Sequence, residues 1–353
     1  MNKTAEQLEK EVCASDGLFK ALTSMFMKIN CVFICSIILI SYLFSYKALR
    51  ILWNHNIFSN CTRLIFFIGS INSIIHQTTM MEIRIRQIYR SIVTEIDHCG
   101  ILFHSPECAV DLYFYYITNF FTTYSVFSLT LDRYELTEQL HCFSSFRLIA
   151  CKFSSVYLKY QYTIATILLT IQLIFAVGTH FFGFLGVPLA GYVPMCTYPP
   201  RLASNFDTIN MIRTVVMVFS IIVLLIIFRS NVKTEKKVHQ HSFNTKTRYT
   251  AFENMTTSKS VCTLIIIQFL CISISSFGVT LIRKVESFMS EEVYHTIVPF
   301  LPGVTYANLC LPVIVYYKTK QTIRRRKEAI DKMTSAPGDV ESHMKWLNET
   351  WTK

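Results

Sequence analysis

Long uncharged, mostly apolar runs alternate with short charged segments along the whole chain. Taken between flanking charges, the runs are Ile29–Tyr46, Leu64–Met81, Leu112–Leu131, Tyr160–Gly183, Thr214–Phe228, Ser260–Ile282 and Val293–Tyr317. At about 1.5 Å per helical residue, some twenty residues cross the roughly 30 Å hydrocarbon core of a bilayer. An isolated run satisfies its backbone hydrogen bonds there only as a helix. The pattern therefore predicts an all-α membrane protein, a bundle of seven transmembrane helices. The fifth run has only fifteen residues, so its helix is expected to start earlier, near Phe206.

The third run is the one the others are arranged around. It closes on Asp132-Arg133-Tyr134, a charged triplet at a helix foot, where a soluble partner can touch it. Its upper half carries Tyr113, Tyr115, Tyr116, Asn119 and Phe120, of which Tyr115, Tyr116, Asn119 and Phe120 are spaced to share one side of a helix.

Composition agrees with this class. The chain is 52% hydrophobic and 16% charged, against about 25% charged in soluble domains. The net charge of +11 is read as loop asymmetry, with no role for nucleic acid. If the N-terminus is extracellular, 23 of the 34 Lys and Arg fall in the inner segments, as the positive-inside rule requires. The C-terminus is then cytoplasmic. One discord is Arg84, Arg86 and Arg90, which follow the second span on the outer side. They are expected to form an outer basic rim that could attract anionic ligands or snorkel to lipid phosphates, and snorkelling is the favoured reading.

Residues 1–28 form an extracellular segment without a cleavable signal peptide, and Ile29–Tyr46 would act as an uncleaved anchor. Residues 29–317 are the seven-helix domain, and 318–353 a basic cytoplasmic tail. Within the tail, Lys318 to Ile330 reads as a short amphipathic helix on the inner leaflet. No phosphate loop, nucleophile elbow or His-Glu-x-x-His occurs, so no enzyme, metal or cofactor is expected. His239 and His241 lack further ligands for a metal.

Of twelve cysteines, Cys13, Cys99, Cys108 and Cys196 fall on the outer side, where disulfides persist. Four cysteines allow three pairings. A Cys108–Cys196 bond would pin the loop between spans four and five over the bundle mouth. Cys13 and Cys99 would then join the N-terminal segment to the loop after the second span. The alternative is four free thiols.

A resemblance extends along most of the chain. Its residues are Cys13-Ala14-Ser15-Asp16-Gly17-Leu18, His76-Gln77, Arg84-Ile85, Tyr89-Arg90, Cys99, Cys108, Asp132-Arg133, Gln268-Phe269, Gly278-Val279, Arg283, Pro299-Phe300, Pro312 and Trp346. Each motif is weak alone; their order and spacing resemble the nematode serpentine chemoreceptors of the alpha class, the Sra family, on a rhodopsin-like plan. The resemblance implies a chemosensory G protein-coupled receptor in the plasma membrane of sensory neurons, in their cilia. Its partners would be a small environmental chemical, a heterotrimeric G protein and the lipid bilayer. Asp132, Arg133 and Tyr134 would serve G protein coupling, with Asp132 holding Arg133 at rest.

The resemblance also implies that the upper third helix lines the ligand cavity. Tyr115, Tyr116, Asn119 and Phe120 are then ligand-binding candidates, faced by Asn210 and Arg213 on the fifth span, Phe277 on the sixth and Tyr306 on the seventh. The bland alternative is that these Tyr and Asn side chains only bond neighbouring helices. For His76 and Gln77 that interhelical role is favoured. There are departures: the seventh span has Asn308 and Pro312 with stretched spacing, the second has Asn72 without an Asp, and the seventh has no Lys for a retinal Schiff base. A ligand-gated channel subunit with its N-terminus inside, a transporter, and a trafficking partner are the rival readings.

Overall fold

The computed structural model describes residues 13–55, 58–94, 97–141, 147–198, 205–241, 245–285 and 288–335; within its helices, side chains at 133–159, 234–258 and a few other positions lie outside the described set. Serines set the helix starts. Ser15 opens α1 (Asp16–Thr23) by accepting from the Leu18 amide at 3.3 Å. Ser24 ends α1 and starts α2 (Met25–Asn54). Its hydroxyl donates to the Ala21 carbonyl at 2.7 Å and accepts from the Met27 amide at 3.2 Å. Such caps satisfy helix-end groups that would otherwise be left unpaired. Ser59 caps α3 (Asn60–Val93) in the same way.

A two-residue strand β1 (Phe103–His104) and a 3-10 turn at Ser105–Cys108 lead into α4 (Ala109–His141). Helix α5 (Arg147–Phe184) has a non-helical residue at Tyr160, so the apolar part starts there, as the charge pattern has it. Strand β2 (Tyr192–Val193) pairs antiparallel with β1, Phe103 opposite Val193. Then come α6 (Phe206–His241), α7 (Thr245–Val285), α8 (Glu291–Ile297), a 3-10 turn at Val298–Phe300, and α9 (Gly303–Ser335).

Among the described residues, seven helices of 30 to 41 residues make the bundle: α2 to α7 and α9. Five segments pass a length-and-hydropathy test for crossing a membrane, in α2, α3, α5, α6 and the α8–α9 stretch. Helix α4 falls short of it because it is rich in Tyr, Thr and Ser. Yet Phe120 to Val126 are all buried, and α4 packs against α3, α5 and α6. It faces other helices in place of lipid, so it does not need lipid-like side chains. The peripheral α2 shows the converse. Val32, Phe33, Leu39 and Leu43 are exposed, while Asn30, Ser41, Ser45 and Ala48 are buried. Small and polar residues let helices approach where lipid offers no hydrophobic drive between them.

A polar seam ties α3, α4 and α9 together. Pro312 has no amide hydrogen, so the Asn308 carbonyl four residues earlier loses its helical partner. Ser73 donates to that carbonyl at 2.9 Å and Ser41 at 3.5 Å. Gln77 donates to the Thr305 carbonyl at 3.0 Å, and Asn72 to the Thr118 carbonyl at 3.1 Å and the Thr122 hydroxyl at 3.0 Å. His76 Nδ1 meets the Thr118 hydroxyl at 3.0 Å. These side chains bond neighbouring helices. Ser73→Ala is expected to lower stability by about 1 kcal/mol. In a Pro312→Ala background the loss should shrink, because the substitution restores a backbone amide that can donate to the Asn308 carbonyl. Thermal melts of the two single variants and the double measure the coupling; strict additivity would refute this account of the seam.

Three expectations need correction. The seventh span is not one helix from Val293 to Tyr317. Pro299 and Pro302 break it, and its long helix starts at Gly303. The basic stretch after Tyr317 is no separate amphipathic helix, since α9 runs unbroken to Ser335. Between Pro312 and Pro337 the sequence has neither Pro nor Gly, and Arg324 pairs with Glu328 one turn on at 3.4 Å. Finally, Arg84, Arg86 and Arg90 form no snorkelling rim, because α3 continues to Val93 and carries all three. Arg86 pairs with Asp111 and Glu82. Arg90 pairs with Glu107 at 3.0 Å, donates to the Leu102 carbonyl and stacks on Phe103. Arg84 is 2% exposed and points into the bundle.

Candidate functional site

One end of the bundle is covered. Disulfides join Cys13 to Cys99 and Cys108 to Cys196. The first fastens the segment before α1 to the loop after α3. The second fastens the β2–α6 loop to the start of α4. Helix α1 lies on α8, and Ser15 donates to Glu291 at 2.6 Å. An apolar cluster, including Leu18, Leu22, Met27, Phe103, Val193 and Met195, fills the space around the two bonds.

Beneath this cover is a cavity of about 120 Å³. Its walls come from Met80 and Arg84 of α3, Tyr115, Tyr116 and Asn119 of α4, Asn210 and Arg213 of α6, and Ser275 of α7. Met195, Thr197 and Tyr198 of the pinned loop close one side, and Tyr294, Pro299 and Pro302 another. Two features of the chain therefore build the cavity beyond the helices themselves: the disulfide at Cys196 and the proline break before α9.

Five of the eight predicted ligand residues meet here: Tyr115, Tyr116, Asn119, Asn210 and Arg213. The Tyr116 hydroxyl also donates to the Thr197 carbonyl at 3.2 Å, tying α4 to the loop. Three do not line it. Phe120 is buried under the Arg213 guanidinium, 5.9 Å from its ring centre. Phe277 is 57% exposed on the outer face of α7. Ser275 faces the cavity, and two residues further on a helix turns through about 200°. Tyr306 packs against Ile34, Ile38 and Met80, and its hydroxyl donates to the Phe300 carbonyl at 3.2 Å.

Arg84 belongs to the cavity although its charge suggested the surface. A signal was available: Ser73, Gln77, Met80 and Arg84 follow each other at intervals of three or four, one stripe of α3 that includes two interhelical contacts. Arg86 and Arg90 are off that stripe. Thr197 and Tyr198 had no signal besides their nearness to Cys196, and Tyr294 had none.

The electrostatics of the cavity are one-sided. Arg213 is 5% exposed, and its Nε and Nη2 meet no hydrogen-bond acceptor; the same holds for Nε and Nη1 of Arg84. Arg84 Nη2 donates to the Pro299 carbonyl at 3.1 Å. Asn119 Oδ1 is buried and unpaired. Among the described residues the lining has no carboxylate. No group of His, Cys, Asp and Glu among the described residues suits a metal ion.

At the opposite end, Asp132 at the foot of α4 is 1% exposed and accepts a hydrogen bond from the Thr62 hydroxyl at 2.6 Å. Thr62 in turn bonds Ser59, the cap of α3, at 2.7 Å. The side chains of Arg133 and Tyr134 lie outside the described residues.

Comparison with known proteins bears on this arrangement. The model of a family described as serpentine type 7TM GPCR chemoreceptor Sra matches residues 8–351. Serpentine receptor class alpha-20 of Caenorhabditis elegans is 52% identical over 352 residues, covering 99% of this chain and 100% of that protein. Class alpha-23 of the same organism is 52% identical and class alpha-24 50%, each over 99% of this chain.

Proposed function

The chain belongs to the Sra family of serpentine seven-transmembrane chemoreceptors, and from that premise we propose that it detects a small environmental chemical in the cavity under the disulfide-held cover and signals through a heterotrimeric G protein. The observation that carries this reading is the convergence of Tyr115, Tyr116, Asn119, Asn210, Arg84 and Arg213 on one space beneath the cover. A largely preformed pocket with a few directed polar groups is the usual form of a small-molecule site.

The covered end faces outward in this reading, with residues 1–28 outside and the tail from 318 inside. Support comes from the charge asymmetry of the loops and from the disulfides, which form in oxidising compartments. The protein acts in the plasma membrane of a sensory neuron, in its cilia. Ligand shifts the bundle to a signalling state only by binding that state more tightly. The inner contact is the foot of α4, where Asp132, Arg133 and Tyr134 meet the G protein.

The bond from Thr62 to Asp132 holds α4 to α3 in the resting state. A hydrogen bond to a charged acceptor contributes about 1.5–3 kcal/mol. Asp132→Asn weakens it and is expected to raise agonist-independent signalling several-fold, roughly up to tenfold, read by calcium with a promiscuous G protein. An unaltered basal signal at equal surface expression counts against this latch. The same assay, screened against odorants and water-soluble cues, tests the receptor reading: Asn210→Trp should fill the cavity and abolish the response to any active compound. An antibody to an epitope at Met1 should stain unpermeabilised cells; staining only after permeabilisation refutes the orientation.

A further inference from the structure

We infer that the ligand of this receptor is an acid: a small organic anion whose carboxylate sits between Arg84 and Arg213. The inference rests on the reading of the cavity as the ligand site and adds the chemical class of what enters it.

The argument starts from cost. A guanidinium taken out of water is unfavourable unless it is paired and hydrogen-bonded, and more so at membrane depth. Elsewhere the fold respects this. On the same helix Arg86 has Asp111 and Glu82, and Arg90 has Glu107. Among the described residues, Arg84 and Arg213 are buried cations without a carboxylate partner. Both are more than nine-tenths buried, both line the cavity, and each has two nitrogens without an acceptor. The remaining polar groups on the described lining are hydroxyls, amides and backbone. Phe120 offers Arg213 a ring face and no charge.

Two positive charges facing one space with no counter-charge on the described lining make an anion site. Guanidinium forks match the planar, bidentate geometry of a carboxylate. Asn119 and the tyrosine hydroxyls supply neutral contacts for the rest of the molecule. Size limits it further. A cavity of about 150 Å³ holds benzene, so 120 Å³ suits a short-chain acid. A lipid headgroup presents the same oxyanion chemistry, and the test separates the two sources.

The experiment uses the full-length protein in phosphatidylcholine nanodiscs, with melting temperature as the readout. The probes are sodium salts of straight-chain carboxylates of two to six carbons, the four-carbon dicarboxylates, and the matching neutral amides. At least one acid should stabilise the wild type while its amide does not. Arg213→Gln should raise the half-maximal concentration of that acid about tenfold or more, and Arg213→Lys should lie between. Arg213→Gln unable to fold leaves the wild-type contrast of acid and amide decisive. Amides stabilising as well as acids overturn the charge inference but leave the cavity reading standing. No stabilisation by any acid also overturns it, and the cell screen with Asn210→Trp judges the cavity separately. Stabilisation by phosphatidylserine alone, lost in Arg213→Gln, assigns the oxyanion site to a lipid headgroup and overturns a free acid.

Discussion

Gly303→Ala should lower the stability of the folded protein markedly. Gly303 opens α9 directly after Pro302, against the backbone of α7. A Cβ added there would run into the carbonyl oxygen of Cys271 and stand 2.9 Å from the Ser275 Cβ. The obstructing oxygen is backbone in mid-helix, so it cannot swing aside as the end of a long side chain can. Overpacking of this kind costs about 1–3 kcal/mol, and more where backbone must move. It also displaces Ser275, Pro302 and the proline turn, which are cavity wall. The expected result is a melting temperature lowered by several degrees and a marked loss of the monodisperse peak in fluorescence-detected size exclusion. Gly178→Ala is the control. Its Cβ would meet nothing within 4 Å, and replacing a helical Gly by Ala gains up to about 1 kcal/mol of propensity. Equal melting of the two variants would mean that α7 and α9 are not in such close contact.

Cys108→Ser should be nearly as damaging, for a different reason. The bond to Cys196 closes a loop across 88 residues of sequence. Losing a native disulfide costs about 2–5 kcal/mol, mostly through the entropy returned to the unfolded chain. The β1–β2 pairing spans only two residues, so the loop is left to the packing of Val193 and Met195 and the Tyr116–Thr197 bond. Met195, Thr197 and Tyr198 flank the bond and line the cavity, so ligand responses should fall further than stability does. Cys13→Ser should be milder. At that junction the Ala14 amide still donates to the His98 carbonyl at 2.8 Å, and Phe19 stacks on His98 at 3.8 Å. Thermal melts with and without reductant, beside non-reducing gels, measure both. Cys108→Ser and the double variant Cys108→Ser/Cys196→Ser should melt alike. A Cys13→Ser loss larger than that of Cys108→Ser would reverse this ranking of the two bonds.

Much of the fold was legible along the chain, because a bilayer imposes a simple rule: long apolar runs become helices. Six of the seven runs lie within single helices of the structure, including the short fifth one, whose helix does begin at Phe206. The seventh failed at Pro299 and Pro302, whose missing amide hydrogens interrupt helical bonding even inside an apolar run. The site was legible only in part. Tyr115, Tyr116 and Asn119 could be found from helix phase once α4 was taken as central, and Asn210 and Arg213 from the resemblance that places them opposite. Phe277 lies away from the cavity: an aromatic in a span suits lipid as well as a pocket, and only the rotation of α7 separates the two. Arg84 was misread because a charge near a span end ordinarily turns to the surface.

The sequence by itself determined the number of long helices, the central place of the third, and the cysteines available to cover one end. Those follow from hydropathy, charge and residue type, which are local properties. Only the tertiary structure decided which face each helix turns inward, that the last span is divided, and that two arginines face one cavity without a carboxylate among its described walls. Those depend on how helices rotate against one another, and that is settled by the sum of many weak contacts across the bundle, such as Ser73 to Asn308 and Gln77 to Thr305, between residues far apart in the chain.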